Sequence, residues 1–260
     1  MSLQEVEEII AVLSKQSKPY EWVVNEFSKI DEFAHLDIDL EILRLMGLSL
    51  ELHNNNMVFL KNRIRKIKEE VFCIVDIETT GGKTNGKLLE LGAVKIKNFQ
   101  ELDRFDTLVK VKDIPENIIE LTGISLNMVQ NAPSLAKVLH DFRFFLQDSI
   151  FVAHNAQFDF NFLSKAMNEC GFGILLNRSV CTINFARLCI ESQYYGLETL
   201  KEYLGIKSIH HRALSDALAT TEIFKYCLEK LPSHIKTTQE LLEFTQSPQK
   251  NVRKKRKSLS

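Results

Sequence analysis

Three short patches hold the residues of this chain whose types and spacing suit chemistry. They are Asp76-Ile77-Glu78-Thr79-Thr80-Gly81, His154-Asn155-Ala156-Gln157-Phe158-Asp159 and His211-Arg212-Ala213-Leu214-Ser215-Asp216. Between them they offer four carboxylates (Asp76, Glu78, Asp159 and Asp216) and one histidine, His211. Carboxylate oxygens favour hard divalent cations such as Mg2+ or Mn2+ over softer metals. Two such cations with a general base are the equipment of metal-assisted phosphodiester hydrolysis.

Each patch alone says less. Residues two apart in a strand share a face, so Asp76 and Glu78 would project together from an apolar run. Unpaired charge is costly there, and a bound cation would offset that cost. An Asp-x-Glu pair is nevertheless expected about once by chance in a chain of this length. Thr79, Thr80 and Gly81 would end the strand in a turn whose backbone can approach a substrate closely. Asp159 falls in the first turn of an expected helix, where an acid also serves the helix dipole. His154 and Asn155 read as residues that fix a loop by hydrogen bonding, and Phe158 and Phe162 have core spacing. His211 and Asp216, five residues apart, would splay on a single helix. They can act together if His211 sits on the preceding loop and Asp216 in the early turns, which favours His211 over the adjacent His210.

Taken in order, the patches resemble the three motifs of the DnaQ-like, DEDDh-type 3′–5′ exonucleases of the ribonuclease H-like superfamily. Asp-x-Glu, His-Asn-x-x-Phe-Asp and His-x-x-x-x-Asp are all present without departure. Pro115, Ile118, Leu121-Thr122-Gly123-Ile124, Met128-Val129 and Ala132-Pro133 resemble the family's intermotif segment. The resemblance spans roughly residues 70 to 232 and is close to the proofreading (epsilon) subunits of bacterial DNA polymerase III. It implies an α/β, ribonuclease H-like mixed sheet flanked by helices. It implies Asp76, Glu78, Asp159 and Asp216 as ligands of two Mg2+ or Mn2+ ions, His211 as base, and a single-stranded DNA 3′ end as substrate; a stand-alone exonuclease trimming RNA 3′ ends, or a non-enzymatic adaptor for polymerase or clamp, are the alternatives. A replicative polymerase is the implied partner. It says nothing about the first 70 residues.

The elements that must position these residues follow from periodicity. Before residue 70, Leu3, Val6, Ile10 and Leu13 have helical spacing, as do Trp22, Val23, Phe27 and Ile30 after Pro19. Asp37 is placed to cap a third helix carrying Leu40, Leu43 and Met46 and stopping at Gly47. Leu50, Leu52 and Met57-Val58-Phe59-Leu60 flank an Asn54-Asn55-Asn56 turn. Residues 1–68 therefore read as a mainly helical, winged-helix-like accessory domain, with a charged helical connector from Lys61 to Glu70. Residues 69–232 read as the catalytic domain, with strands at 71–77, 88–96, 105–111 and 150–153. Helices are expected near 116–130, 134–146, 157–170, 182–191, 197–204 and 212–231.

Residues 233–260 read as a flexible tail. Within it Gln239, Leu242 and Phe244 have the form Q-x-x-L-x-F and resemble the motif by which bacterial replication proteins dock on the sliding clamp. The chain of 260 residues has a formal net charge of −1. Lys250, Arg253, Lys254, Lys255, Arg256 and Lys257 are all cationic, so a basic end follows an acidic body. Such an end serves either as a solubilising tail or as a nonspecific anchor for nucleic acid or an acidic partner. No apolar run approaches membrane-spanning length. The acidic N-terminus is unlike a secretory signal, and five scattered cysteines suit reduced thiols in a cytoplasmic protein.

Overall fold

The computed structural model describes residues 2–82, 85–207 and 211–246. His210 and the basic end lie outside the described residues. The N-terminal unit comprises α1 (Ser2–Lys15), β1 (Lys18–Pro19), α2 (Tyr20–Ser28), α3 (Leu40–Leu45), β2 (Leu50–Leu52) and β3 (Met57–Leu60). Its three strands are antiparallel in the order β1-β3-β2. Val6, Leu13, Val23, Phe27, Leu43 and Leu60 fill its core, which is the face the helical spacing predicts. The cap of α3 is Asp39 and not Asp37: its carboxylate accepts the Ile42 N–H at 2.7 Å. Gly47 then takes φ +107°, with Asn177 so close that a Cβ would fall 2.0 Å from its Oδ1.

The connector is not a helix. It forms two short 3-10 turns, Lys61–Arg63 and Ile67–Glu69. Its backbone pairs instead with a distant segment: Ile67 N–H donates to Lys236 O, and Thr238 N–H donates to Arg65 O. Glu70 is fully buried there, held by Arg65 at 2.7 Å and Asn62 at 2.8 Å.

The second unit begins with the meander β4 (Val71–Thr79), β5 (Leu88–Lys97) and β6 (Gln100–Leu108). Then come α4 (Glu116–Thr122), α5 (Leu126–Val129), α6 (Leu135–Leu146), β7 (Ile150–Ala153), α7 (Ala156–Glu169) and β8 (Ser179–Cys181). The chain closes with α8 (Thr182–Cys189), α9 (Leu197–Leu204), α10 (Ala213–Glu229) and α11 (Thr238–Gln246). The sheet order is β6-β5-β4-β7-β8. β4 runs antiparallel to β5 and parallel to β7, which is parallel to β8. Alternation along β4 sorts its side chains between two cores. Phe72 and Ile74 pack with Val94 and with Ile223 and Phe224 of α10. Cys73, Val75 and Ile77 pack with Leu139 and Phe142 of α6 and Leu163 of α7. Asp76 and Glu78 therefore continue the α10 side of the strand.

Three features depart from the periodicity. β6 starts five residues earlier than expected, because Asn98 and Phe99 both take positive φ (49° and 64°) and close a tight hairpin. As an edge strand it is largely exposed, so its first half carries no apolar alternation. β8, three residues long, is too short to signal itself. The described part of the supposed flexible tail is ordered: α11 packs its Leu241 and Leu242, both fully buried, into the same core as Ile223 and Phe224. The two units are also fastened together. Leu176 N–H donates to Met46 O at 2.8 Å, and Arg143 caps the carbonyls of Met46, Phe172 and Gly173.

Candidate active site

The carboxylates meet where β4 ends. Glu78 lies opposite Glu90 of β5, and Asp76 lies opposite Gly92. The register shifts immediately after Glu78, a local irregularity of the kind that re-aims side chains at strand ends. Two like charges directly across a ladder repel, and Glu90 is almost wholly buried. Arg212 answers it with Nη2 to Oε1 at 2.7 Å and Nε at 3.1 and 3.2 Å to the two oxygens. Glu90 Oε2 also accepts the N–H of Ala213 at 2.9 Å, the first residue of α10. The start of α10 is thus tied to β5 by a carboxylate that caps it. Gly92 makes this approach possible, since a Cβ there would fall 2.1 Å from Leu214 N and 2.3 Å from Ala213 C.

That docking delivers Asp216, one turn into α10 and buried, to the α10 side of β4. Its Oδ2 accepts the backbone N–H of His211 at 3.0 Å. His211 precedes the helix with φ +53° and is exposed. The five-residue spacing is therefore a loop closed by its own acid, which fixes the histidine. Ligating atoms of Glu78, His211 and Asp216 all lie within 4.8 Å of one another. α7 brings Asp159, also buried, against β4, where its carboxylate accepts the Ile77 N–H and its charge acts on Asp76.

A family model described as Exonuclease (RNase_T) matches residues 73–224, which contain all five of these residues. The chain belongs to this exonuclease family. Among curated proteins, similar relatives include the PolC-type DNA polymerase III of Caldanaerobacter subterraneus subsp. tengcongensis, 39% identical over 191 residues, covering 72% of this chain and 14% of that one. The PolC-type DNA polymerase III of Clostridium perfringens is 37% identical over 191 residues, covering 72% of this chain and 13% of that one. This chain thus spans about one-seventh of the length of these relatives. Among solved structures, E. coli Exonuclease I in complex with a dA16 oligonucleotide aligns with a TM-score of 0.56 at 15% identity, covering 63% of this chain and 42% of that one. Exonuclease X in complex with 5′ overhanging duplex DNA aligns at 0.51 with 21% identity, covering 65% and 99%. These likenesses establish the mixed-sheet, ribonuclease H-like fold.

The electrostatics of the candidate site suit a cation. Burial, and then the charges of Asp159, Asp216, Glu78 and Glu90, hold the Asp76 carboxyl well above the usual carboxylate range. Burial, reinforced by Asp216 and Glu90, pushes Glu78 up to about 7. Burial also takes Asp159 to about 7, against the backbone hydrogen bonds of its own and Ile77's amides. Asp216 is raised by burial despite the opposing effects of Lys201 and the His211 N–H. Four carboxyls that resist ionising together are what an added divalent charge would release. Asp216 Oδ1 is moreover buried without a hydrogen-bond partner, as a ligand oxygen awaiting a cation would be. The residues present fit divalent metal.

Other expected positions resolve differently. His154 is half-buried between Thr182 Oγ1 at 2.9 Å and Tyr195 O at 3.0 Å, and desolvation pushes it down to about 4. It fixes the loop before α7. Thr79 Oγ1 donates to Gly81 O at 2.7 Å, and Thr80 Oγ1 accepts the Lys87 N–H at 2.9 Å. Both hydroxyls tie the turn together. The residues of the clamp-like motif pack largely against the protein's own core. Gln239 donates to Glu243 at 2.8 Å and faces Arg178 at 3.3 Å, Leu242 is in the core, and Phe244 meets the Phe185 ring edge-on at 6.4 Å.

The residues that sequence reasoning missed are Glu90, Gly92, Arg212 and Lys201. A lone acid within the apolar run Leu88-Leu89-Glu90-Leu91, followed by Gly92, was a signal for the first two. Arg212 stood inside the third patch without a role. Lys201 reads in sequence as one more polar residue of a helix.

Proposed function

We propose that this exonuclease is a metal-dependent 3′–5′ exodeoxyribonuclease of the DEDDh type that removes nucleotides during DNA replication. The observation that carries the reading is the meeting of Glu78, His211 and Asp216, with Asp159, Asp216 and Glu78 all close enough to raise the Asp76 carboxyl and the buried Asp216 Oδ1 without a hydrogen-bond partner. The PolC-type DNA polymerase III relatives support DNA as substrate and a replicative polymerase as partner. The N-terminal unit, with its winged-helix-like order of three helices and a hairpin, serves as an accessory domain.

In this mechanism Asp76, Glu78, Asp159 and Asp216 would hold two Mg2+ or Mn2+ ions, which when bound would supply positive charge to acidify the attacking water and offset the charge on the departing 3′ oxygen. His211, exposed at the mouth and fixed through its backbone by Asp216, takes the proton of the attacking water. Arg212 stays on Glu90, so its charge holds α10 in place beside the substrate. Thr79, Thr80 and Gly81 form a closed turn whose backbone borders the strand end, where the terminal nucleotide would lie. The product is a 5′-mononucleotide and a strand shorter by one residue.

The test compares single-stranded DNA, mismatched primer ends and RNA of the same sequence, each labelled to follow shortening from the 3′ end, with Mg2+. Release of 5′-mononucleotides from DNA, fastest at the mismatch, is expected. Asp76→Ala should lose this activity by at least about a thousandfold while keeping the circular dichroism of the wild type. Preferential turnover of RNA would refute the DNA assignment, and wild-type rates in Asp76→Ala would refute the metal site.

A further inference from the structure

The inward stripe of α9 runs through Leu197, Leu200 and Leu204, and helical spacing places residue 201 on that stripe. The residue there is Lys201, only 3% exposed, whereas lysine is almost never fully buried unless paired. Its ammonium lies between two carboxylates. Glu198 Oε1 is 2.8 Å away on the solvent side, its side chain 53% exposed. Asp216 Oδ1 is 3.5 Å away on the interior side. That second distance is an ion pair and not a hydrogen bond, consistent with the unpartnered state of the oxygen.

Taking these together, and resting on the metal-dependent reading above, we propose that Lys201 is a positioning residue whose buried charge, in ion-pair range of Asp216, opposes the charge of a metal ion held by that carboxylate. The ammonium lies within ion-pair range of a ligand oxygen yet leaves that oxygen's hydrogen-bonding capacity open. A cation joining Asp216 meets the repulsion of a lysine that its burial keeps from swinging into water. Glu198 moderates this repulsion by sharing the lysine. The arrangement sets metal affinity through a neighbour of the ligand and not through a ligand.

The opposing signs of two substitutions test it. Mn2+ binding to the full metal-free chain would be followed by calorimetry, with thermal unfolding measured in EDTA and in saturating Mn2+. Lys201→Met is expected to tighten Mn2+ binding about tenfold, because a unit charge close to the ligand is removed. The rise in Tm on adding Mn2+ should grow accordingly. Lys201→Arg, which keeps the charge, should leave the affinity near that of wild type. Glu198→Gln, at a half-exposed position that does not threaten folding, should turn the lysine more fully onto Asp216 and weaken Mn2+ binding about threefold. A lysine that merely packs α9 against α10 would shift Tm equally with and without metal and leave affinity alone. Unchanged or weaker binding in Lys201→Met, or unchanged or tighter binding in Glu198→Gln, overturns the proposal while wild-type binding stands. Absence of Mn2+ binding in the wild type would instead take down the metal reading, and this proposal with it.

Discussion

Gly92→Ala adds one methyl group and nothing polar, yet it should disable the site. The new Cβ would fall 2.1 Å from Leu214 N, 2.3 Å from Ala213 C and 2.5 Å from Leu214 Cα, whereas ordinary contact begins at 3.4 Å. All three neighbours are backbone, so no side chain can turn aside. β5 is hydrogen-bonded to β4 on one edge and β6 on the other, which leaves the start of α10 as the part that moves. A retreat of about 1 Å carries Asp216 away from Glu78 and stretches the Arg212 and Ala213 bonds to Glu90. Misplacement of that size in a catalytic group costs on the order of a hundredfold in rate. The overpacking itself costs about 1–3 kcal/mol of stability. Turnover of single-stranded DNA with Mg2+ should fall accordingly, with Mn2+ affinity weakened and Tm lowered in the same preparation. A Gly92→Ala protein with wild-type kcat and wild-type Mn2+ affinity would refute the claim that close approach of α10 to β5 builds the site.

Metal-free protein should lose stability as pH rises from about 4 to about 7. Raised carboxyls such as Glu78 and Asp159 bind protons in the folded state that the unfolded chain has already released. Unfolding in EDTA across that window should give a falling Tm, and saturating Mg2+ should flatten it. A Tm that rises with pH in EDTA would contradict the repulsive cluster. Leu242→Ala should destabilise the protein by about 2–5 kcal/mol, as expected for a fully buried leucine. A urea midpoint unchanged by that substitution would return α11 to the role of an unattached segment.

The chemistry-bearing residues were legible because they are local. Asp76 and Glu78 share a face by strand alternation, and the loop-then-helix placement of His211 and Asp216 follows from a spacing that fails on a single helix. The fold class, most helices and the change in character near residue 70 follow from periodicity for the same reason. Only the tertiary structure decided that Asp159 joins the cluster and does not merely serve its helix dipole, because that depends on where α7 meets the end of β4. It also set Gln239, Leu242 and Phe244 against the chain's own core, which their amphipathic pattern alone could not fix. Glu90 meets Arg212 and Ala213 at sequence separations of 122 and 123, Gly92 meets the same helix start, and Lys201 meets Asp216 on a neighbouring helix, and local spacing does not say which partner each will meet. Sequence determines which side chains share a face; packing determines which faces meet, and the carboxylate cluster exists only after they do.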